Sequence, residues 1–190
     1  MSVITPGRNL VLIGLMGAGK STVGRLLAER LGRPFVDTDA IVEAEADLTI
    51  PEIFAQKGER GFRALEAEAV RRVSALRGQV VAVGGGAVST PGNATQLRMT
   101  GDLVLLDAEP AVLAERVGQE TAERPMVADA EDVTARLAEL RRRRTHDYDS
   151  AAAHTVRTDA RTPEDIADEI LDWARHRQGL LSWEELETVT

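Results

Sequence analysis

The chain has 190 residues, 43% of them hydrophobic, and a formal net charge of −8. That length suits one α/β domain with a real core, the acidic balance argues against a nucleic-acid partner, and the lack of cysteine excludes disulfides and Cys-ligated zinc. No apolar run approaches the ~20 residues of a membrane span and Met1 to Gly7 lacks the pattern of a secretory signal, so the expected setting is cytoplasmic, with no membrane partner.

Leu10 to Ile13 reads as a buried strand, and residues 20–31 carry apolar side chains at helical spacing. Between them, Gly14-Leu15-Met16-Gly17-Ala18-Gly19-Lys20-Ser21-Thr22 fits G-x-x-x-x-G-K-[ST] without a mismatch. The glycines let successive backbone N–H groups turn toward one anion, and the helix N-terminus adds unpaired donors and partial positive charge. Lys20 supplies a mobile cation for the outer phosphates. The Ser21 hydroxyl is a hard oxygen ligand of the kind Mg²⁺ takes beside phosphates. Strand, glycine loop and helix in this order predict a nucleoside-triphosphate site.

Gly32-Arg33-Pro34 breaks the first helix, and Phe35 to Asp39 reads as a second strand ending in two carboxylates. Helical patterning resumes at 40–46, restarts at Thr49-Ile50-Pro51-Glu52, and is interrupted by Gly58 and Gly61 before a long helix over about 62–76. Gln79 to Val83 is a third strand, ended by Gly84-Gly85-Gly86, and Leu103 to Asp107 a fourth. Pro110 opens a helix to Val117; residues 118–130 have little periodicity and read as a mobile flap, or lid. A helix over 133–144 ends in four arginines, where the helix dipole favours cations. His154 to Thr158 is a weak last strand, and Thr162-Pro163-Glu164-Asp165 a strong helix start. The alternation predicts a single α/β domain over 1–178: a parallel sheet of about five strands, helices on both faces, and an acidic tail at 179–190 that either packs on the body or frays.

Ligands of such sheets sit beyond the carboxyl ends of the strands. Asp37, Asp39 and the glycine triple all fall there with the phosphate loop. Asp37 suits Mg²⁺ and Asp39 suits proton acceptance from an attacking hydroxyl, although one of the two can serve as a helix cap. Arg63 and Glu66 share a helix face; the pair is either a surface ion pair, the commoner outcome, or a fork aimed at a small carboxylate. The glycine triple is either a tight turn or a place where something must come close. Arg124 in the flap is a candidate to neutralise charge on a transferring phosphoryl group.

Taken together these pieces resemble the shikimate kinase family, over about Asn9 to Leu171. The resemblance rests on the phosphate loop, Asp37-Thr38-Asp39, Gly61-Phe62-Arg63-Ala64-Leu65-Glu66, Gly84-Gly85-Gly86, Arg124-Pro125, Arg144 with Tyr148 four later, and Thr158 with Pro163-Glu164. It departs from the family at Met126, where Leu is usual, and at His146-Asp147, where Pro-Leu is common. The resemblance implies transfer of phosphate from ATP to the 3-hydroxyl of shikimate in aromatic amino-acid biosynthesis, by a monomer. It implies that Lys20, Asp39 and Arg124 are catalytic. Gly14, Gly17, Ala18, Gly19, Lys20, Ser21, Thr22, Arg116, Arg124 and Pro163 would bind ATP, with Arg116 and Pro163 flanking the adenine. Ser21 and Asp37 would hold Mg²⁺. Asp39, Arg63, Glu66, Gly84, Gly85, Gly86 and Arg144 would bind shikimate.

Two other readings stand beside this one. The same fold hosts gluconate and nucleoside-monophosphate kinases, and Arg63 with the glycine triple argues instead for a small carboxylated acceptor. A nucleotide-dependent switch would want an N-K-x-D signature for guanine, and the sequence has none. Removal of 179–190 is expected to leave catalysis largely unchanged.

Overall fold

Apolar runs separated by helical segments place the strands side by side and all in one direction. The computed structural model describes residues 7–118, 127 and 130–188. Among these, one sheet has five strands in the order β2-β3-β1-β4-β5: β1 (Asn9–Ile13), β2 (Phe35–Asp37), β3 (Val80–Ala82), β4 (Gly101–Asp107) and β5 (His154–Arg157). Every pairing is parallel. β1 and β3 are buried along their length, which requires cover on both faces. Helix α1 (Lys20–Leu31) packs with α7 (Pro163–Arg175), and α3 (Ile50–Ser74) with α4 (Asn93–Thr100). α5 (Pro110–Val117) packs with α6 (Val133–Ala151).

Register decides what the sheet presents at its carboxyl end. Leu12 and Asp37 both align with Ala82, and Ile13 aligns with Leu105. The ends of β1, β2 and β3 are therefore level, and Asp37 stands two strands from the glycine loop. β1 lies between β3 and β4, where the crossovers reverse direction, the position at which open α/β sheets bind ligands.

Several elements differ from expectation. β2 stops at Asp37, because its side chain accepts the Asp39 N–H at 3.0 Å and caps α2 (Thr38–Ala46). Thr38 and Asp39 thus belong to a helix, not to the strand. α3 begins with a capping box between Thr49 and Glu52 and is broken only at Gly58, whose φ of 66° suits glycine. Gly61 remains helical. α6 continues seven residues past Arg144, so the four arginines lie inside the helix and the dipole argument for them fails. Arg141 is instead held by Asp107 at 2.6 and 3.0 Å.

The tail packs. Leu180 and Leu181 belong to the main core, and a short helix α8 (Trp183–Thr188) follows. It is fastened by Arg33, which donates to both Glu185 oxygens at 2.6 and 2.7 Å and to the Arg8 and Leu180 carbonyls at 2.7 Å. Leu180 is fully buried. No helix among the described residues is long and apolar enough to cross a membrane.

Candidate active site

The glycine loop connects β1 to α1 with Gly17 at φ 77° and Gly19 at φ 92°. Both values lie in the left-handed region that glycine adopts at little steric cost. An added Cβ at Gly17 would also stand 2.8 Å from the Leu113 carbonyl oxygen, so α5 holds the loop tightly from behind. Lys20 Nζ donates to the Gly14 and Leu15 carbonyls at 2.9 and 3.0 Å, which keeps the ammonium over the loop. Ser21 Oγ donates to Asp37 Oδ2 at 2.9 Å. These groups open into a cleft of about 600 Å³ lined also by Thr22, Asp39 and Arg116.

Asp37 therefore does two things: one oxygen caps α2 and the other meets Ser21. Two hard oxygen donors side by side, next to a phosphate loop, fit Mg²⁺, which takes few protein ligands and completes its shell with phosphate oxygens and water. No group of three or more His, Cys, Asp or Glu able to hold a metal occurs among the described residues.

The glycine triple marks close approaches. A Cβ on Gly84 would lie 2.7 Å from Asp39 Oδ1 and 2.8 Å from Glu66 Oε1; on Gly86 it would lie 2.6 Å from Arg63 Nη1. None of the three has positive φ. At Gly84 and Gly86 glycine suits what stands over the turn, not how the turn bends, whereas a Cβ on Gly85 would meet nothing nearer than 3.4 Å. The Gly84 N–H is in turn accepted by Thr38 Oγ1 at 3.1 Å, a fully buried hydroxyl that ties the start of α2 to the turn.

Arg63 and Glu66 are not a surface pair. Glu66 is 0% exposed and accepts from Arg63 Nη1 at 3.0 and 3.1 Å and from Thr90 Oγ1 at 3.3 Å. Burial works against the charge on Arg63, but the carboxylates of Glu66 and Glu59 outweigh it and hold the guanidinium above its ordinary value. Arg144 is also buried and donates to the Gly85 carbonyl at 3.0 Å. Tyr148, one turn on, donates to the same oxygen, and burial pushes its phenol up to about 12, so it remains a donor throughout the neutral range. Of the arginine run, Arg144 is thus the one at the glycine turn, as its spacing to Tyr148 implies. Arg63, Gly86 and Arg144 line a second cleft of about 480 Å³.

Residues 16–175 match the family model for shikimate kinase. The chain belongs to the shikimate kinase family. A shikimate kinase of Symbiobacterium thermophilum is 49% identical over 89% of this chain and 97% of that protein. One of Geobacter sulfurreducens is 43% identical over 94% of this chain and 97% of that protein. Among solved structures, shikimate kinase from Acinetobacter baumannii in complex with shikimate superposes with a TM-score of 0.84 at 36% identity, covering 87% of this chain and 92% of that chain. A gluconokinase from Sinorhizobium meliloti reaches only 0.51 at 22% identity, over 88% of this chain and 90% of that chain, a likeness of fold alone.

The remaining site residues expected of a shikimate kinase are distributed as follows. Gly14, Ala18 and Gly19 are in the loop as expected. Arg116 reaches across from α5, donating to Gly17 O at 3.3 Å, Thr158 Oγ1 at 3.0 Å and Thr158 O at 2.7 Å. It bridges the glycine loop and the turn after β5. Pro163 occupies the first turn of α7 and is not among the residues lining the larger cleft. Arg124 and most of the lid at 118–130 lie outside the described residues. Thr38 and Thr158 stand within the motifs behind the resemblance, but the sequence assigned no role to them or to Thr90, whose hydroxyls meet Gly84, Arg116 and Glu66. For Thr90 no sequence signal pointed to the site.

A mutation follows directly from the close approach at Gly86. Gly86→Ala puts a methyl where the Arg63 guanidinium stands, and a flexible side chain moves more cheaply than the backbone. The expected result is a normal circular dichroism spectrum with acceptor KM raised about tenfold, the scale of ~1.4 kcal/mol lost from one charge-assisted contact.

Proposed function

We propose that this chain transfers the γ-phosphoryl group of ATP to the 3-hydroxyl of shikimate, giving 3-phosphoshikimate and ADP in aromatic amino-acid biosynthesis. The observation that carries this reading is the pair of arginines, Arg63 and Arg144, at a glycine turn that also touches Asp39. A small acceptor held there by its carboxylate would present a hydroxyl between Asp39 and the phosphate loop.

The Gly14–Thr22 loop would cradle the phosphates through its N–H groups, with Lys20 on the outer ones. Arg116 and Pro163 would flank the adenine. Ser21 and Asp37 would hold Mg²⁺, which when bound neutralises phosphate charge and orients the γ-phosphate. Asp39 would accept the proton of the attacking hydroxyl as its oxygen bonds to phosphorus and the bond to the ADP oxygen breaks. Arg124 would neutralise the transferring group. Phosphoryl transfer depends mainly on such positioning and charge neutralisation. The working unit in this reading is a monomer, as the family resemblance implies.

The test is ADP release with ATP and Mg²⁺, comparing shikimate, gluconate, a nucleoside monophosphate and no acceptor. Stimulation by shikimate alone supports the reading; stimulation by gluconate alone replaces it. For the acceptor side, Arg63→Lys keeps the charge that Glu66 needs but loses the planar fork. Its expected effect is a shikimate KM raised about 10–100-fold, with the KM for ATP within about twofold; an unchanged shikimate KM would remove the carboxylate role.

A further inference from the structure

The guanidinium of Arg116 is held from outside its own helix. Arg116 is an exposed residue of α5 and lines the cleft of the phosphate loop. Its main support is Thr158, the residue just past β5. Nη1 donates to Thr158 Oγ1 at 3.0 Å and Nη2 to the Thr158 carbonyl at 2.7 Å. A longer bond of 3.3 Å runs from Nη1 to the Gly17 carbonyl and joins the same arm to the phosphate loop. Thr158 itself has little freedom. It is 0% exposed, and its N–H donates to the Asp107 carbonyl at 2.9 Å. The next residue, Asp159, accepts the Glu109 N–H at 2.7 Å. The turn after β5 is thus pinned to the end of β4, and it offers a hydroxyl and a carbonyl to a long, exposed side chain.

We propose that Thr158 is a positioning residue of the nucleotide site, which fixes the Arg116 guanidinium in one orientation beside the phosphate loop. This rests on the reading of Arg116 as a neighbour of the adenine. A long side chain in solvent samples many rotamers, and a ligand that needs it in one place loses affinity to the ordering. Here the protein's own acceptors supply that ordering. Thr158 touches neither nucleotide nor acceptor in this role; it acts through Arg116.

Two substitutions separate positioning from packing. Thr158→Val keeps the buried bulk and removes the hydroxyl acceptor; Thr158→Ser keeps the acceptor and removes a buried methyl. The expected result is an ATP KM raised about three- to tenfold in Thr158→Val, the scale of one long side chain ordered afresh on binding, with the shikimate KM within about twofold of wild type. Thr158→Ser melts lower than wild type but keeps a normal ATP KM. If Thr158 served only to pack the turn, the order would follow volume, with Thr158→Ser the poorer in both melting temperature and ATP KM. That result, or an unchanged ATP KM in Thr158→Val, would overturn the proposal. A double-mutant cycle on calorimetric ATP affinity gives the second check. Adding Thr158→Val to Arg116→Ala should cost nothing further, because the two residues act as one unit; additive losses would sink the positioning role while leaving Arg116 at the nucleotide. An Arg116→Ala protein that binds ATP as wild type does would instead overturn the placement of Arg116 itself, and the proposal with it.

Discussion

Replacing Asp39 by Asn lowers kcat about 10²–10⁴-fold, the range of a lost general base, while ATP binding stays close to wild type. Asp39 sits at the second position of α2, where its N–H is fixed by the Asp37 carboxylate at 3.0 Å. Its Oδ1 lies 2.7 Å from where a Gly84 Cβ would be, so the carboxylate stands directly over the glycine turn that leads to Arg144. It also lines the cleft of the phosphate loop. Among the described residues no other carboxylate is placed in both contexts: Asp37 is committed to Ser21 and to the cap, and Glu66 to Arg63. Asparagine keeps the shape and hydrogen-bonding reach of the side chain but cannot take a proton. Single-turnover phosphate transfer measured beside calorimetric ATP affinity checks the expectation. A rate within about threefold of wild type would show that the hydroxyl proton leaves by another route.

Replacing Glu185 by Ala destabilises the protein by about 3–5 kcal/mol, the cost of removing one partner of a buried ion pair. The Arg33 side chain is only 2% exposed and its two nitrogens meet both oxygens of Glu185. Without that carboxylate the guanidinium remains buried with two backbone carbonyls and an unbalanced charge. Total stabilities of about 5–15 kcal/mol make this a large fraction, and the melting temperature should fall by roughly 10 °C for a domain of this size. The acid limb should change as well. Burial raises the Glu185 carboxyl, but Arg33 and the Ser182 contacts win and hold it below the usual glutamate value. A depressed carboxylate contributes stability that is present above its unfolded value and lost as pH falls through the folded one. Melting curves of wild type and Glu185→Ala should therefore converge as pH drops below the ordinary glutamate range; parallel curves would contradict the linkage. Truncation at 179 removes this ion pair and the buried Leu180 and Leu181 together. Its expected effect is on melting temperature rather than on kcat of the folded fraction, which narrows the expectation drawn from sequence.

What could be read without coordinates was chemistry with a fixed spacing. The phosphate loop, Asp37 and Asp39, and the caps at Thr49 and Thr162 all carry local rules that the fold obeys. The burial of Glu66 could not be read, because spacing along a helix says which residues share a face but not what covers it. The glycine triple was undecided for a similar reason: no φ distinguishes it, and the crowding comes from Asp39, Glu66 and Arg63, which are distant in sequence. α6 was cut short at Arg144 because its later turns carry few apolar residues. Its helix is sustained by separate tertiary anchors, Arg141 on Asp107 and Arg144 with Tyr148 on Gly85.

The Arg33 fastening has a consequence for the order in which the molecule is made. Among the described residues β2 is an edge strand with β3 as its single neighbour, and it delivers Asp37 to the site. Arg33 stands two residues before it and is secured by Leu180 and Glu185. During synthesis from the N-terminus, the edge that carries the carboxylate emerges early, yet its anchor arrives some 150 residues later. A nascent chain can thus build its phosphate loop and central strands well before that edge is clamped. Full protection of β2 amides from hydrogen exchange should await emergence of Leu180 and Glu185 from the ribosome.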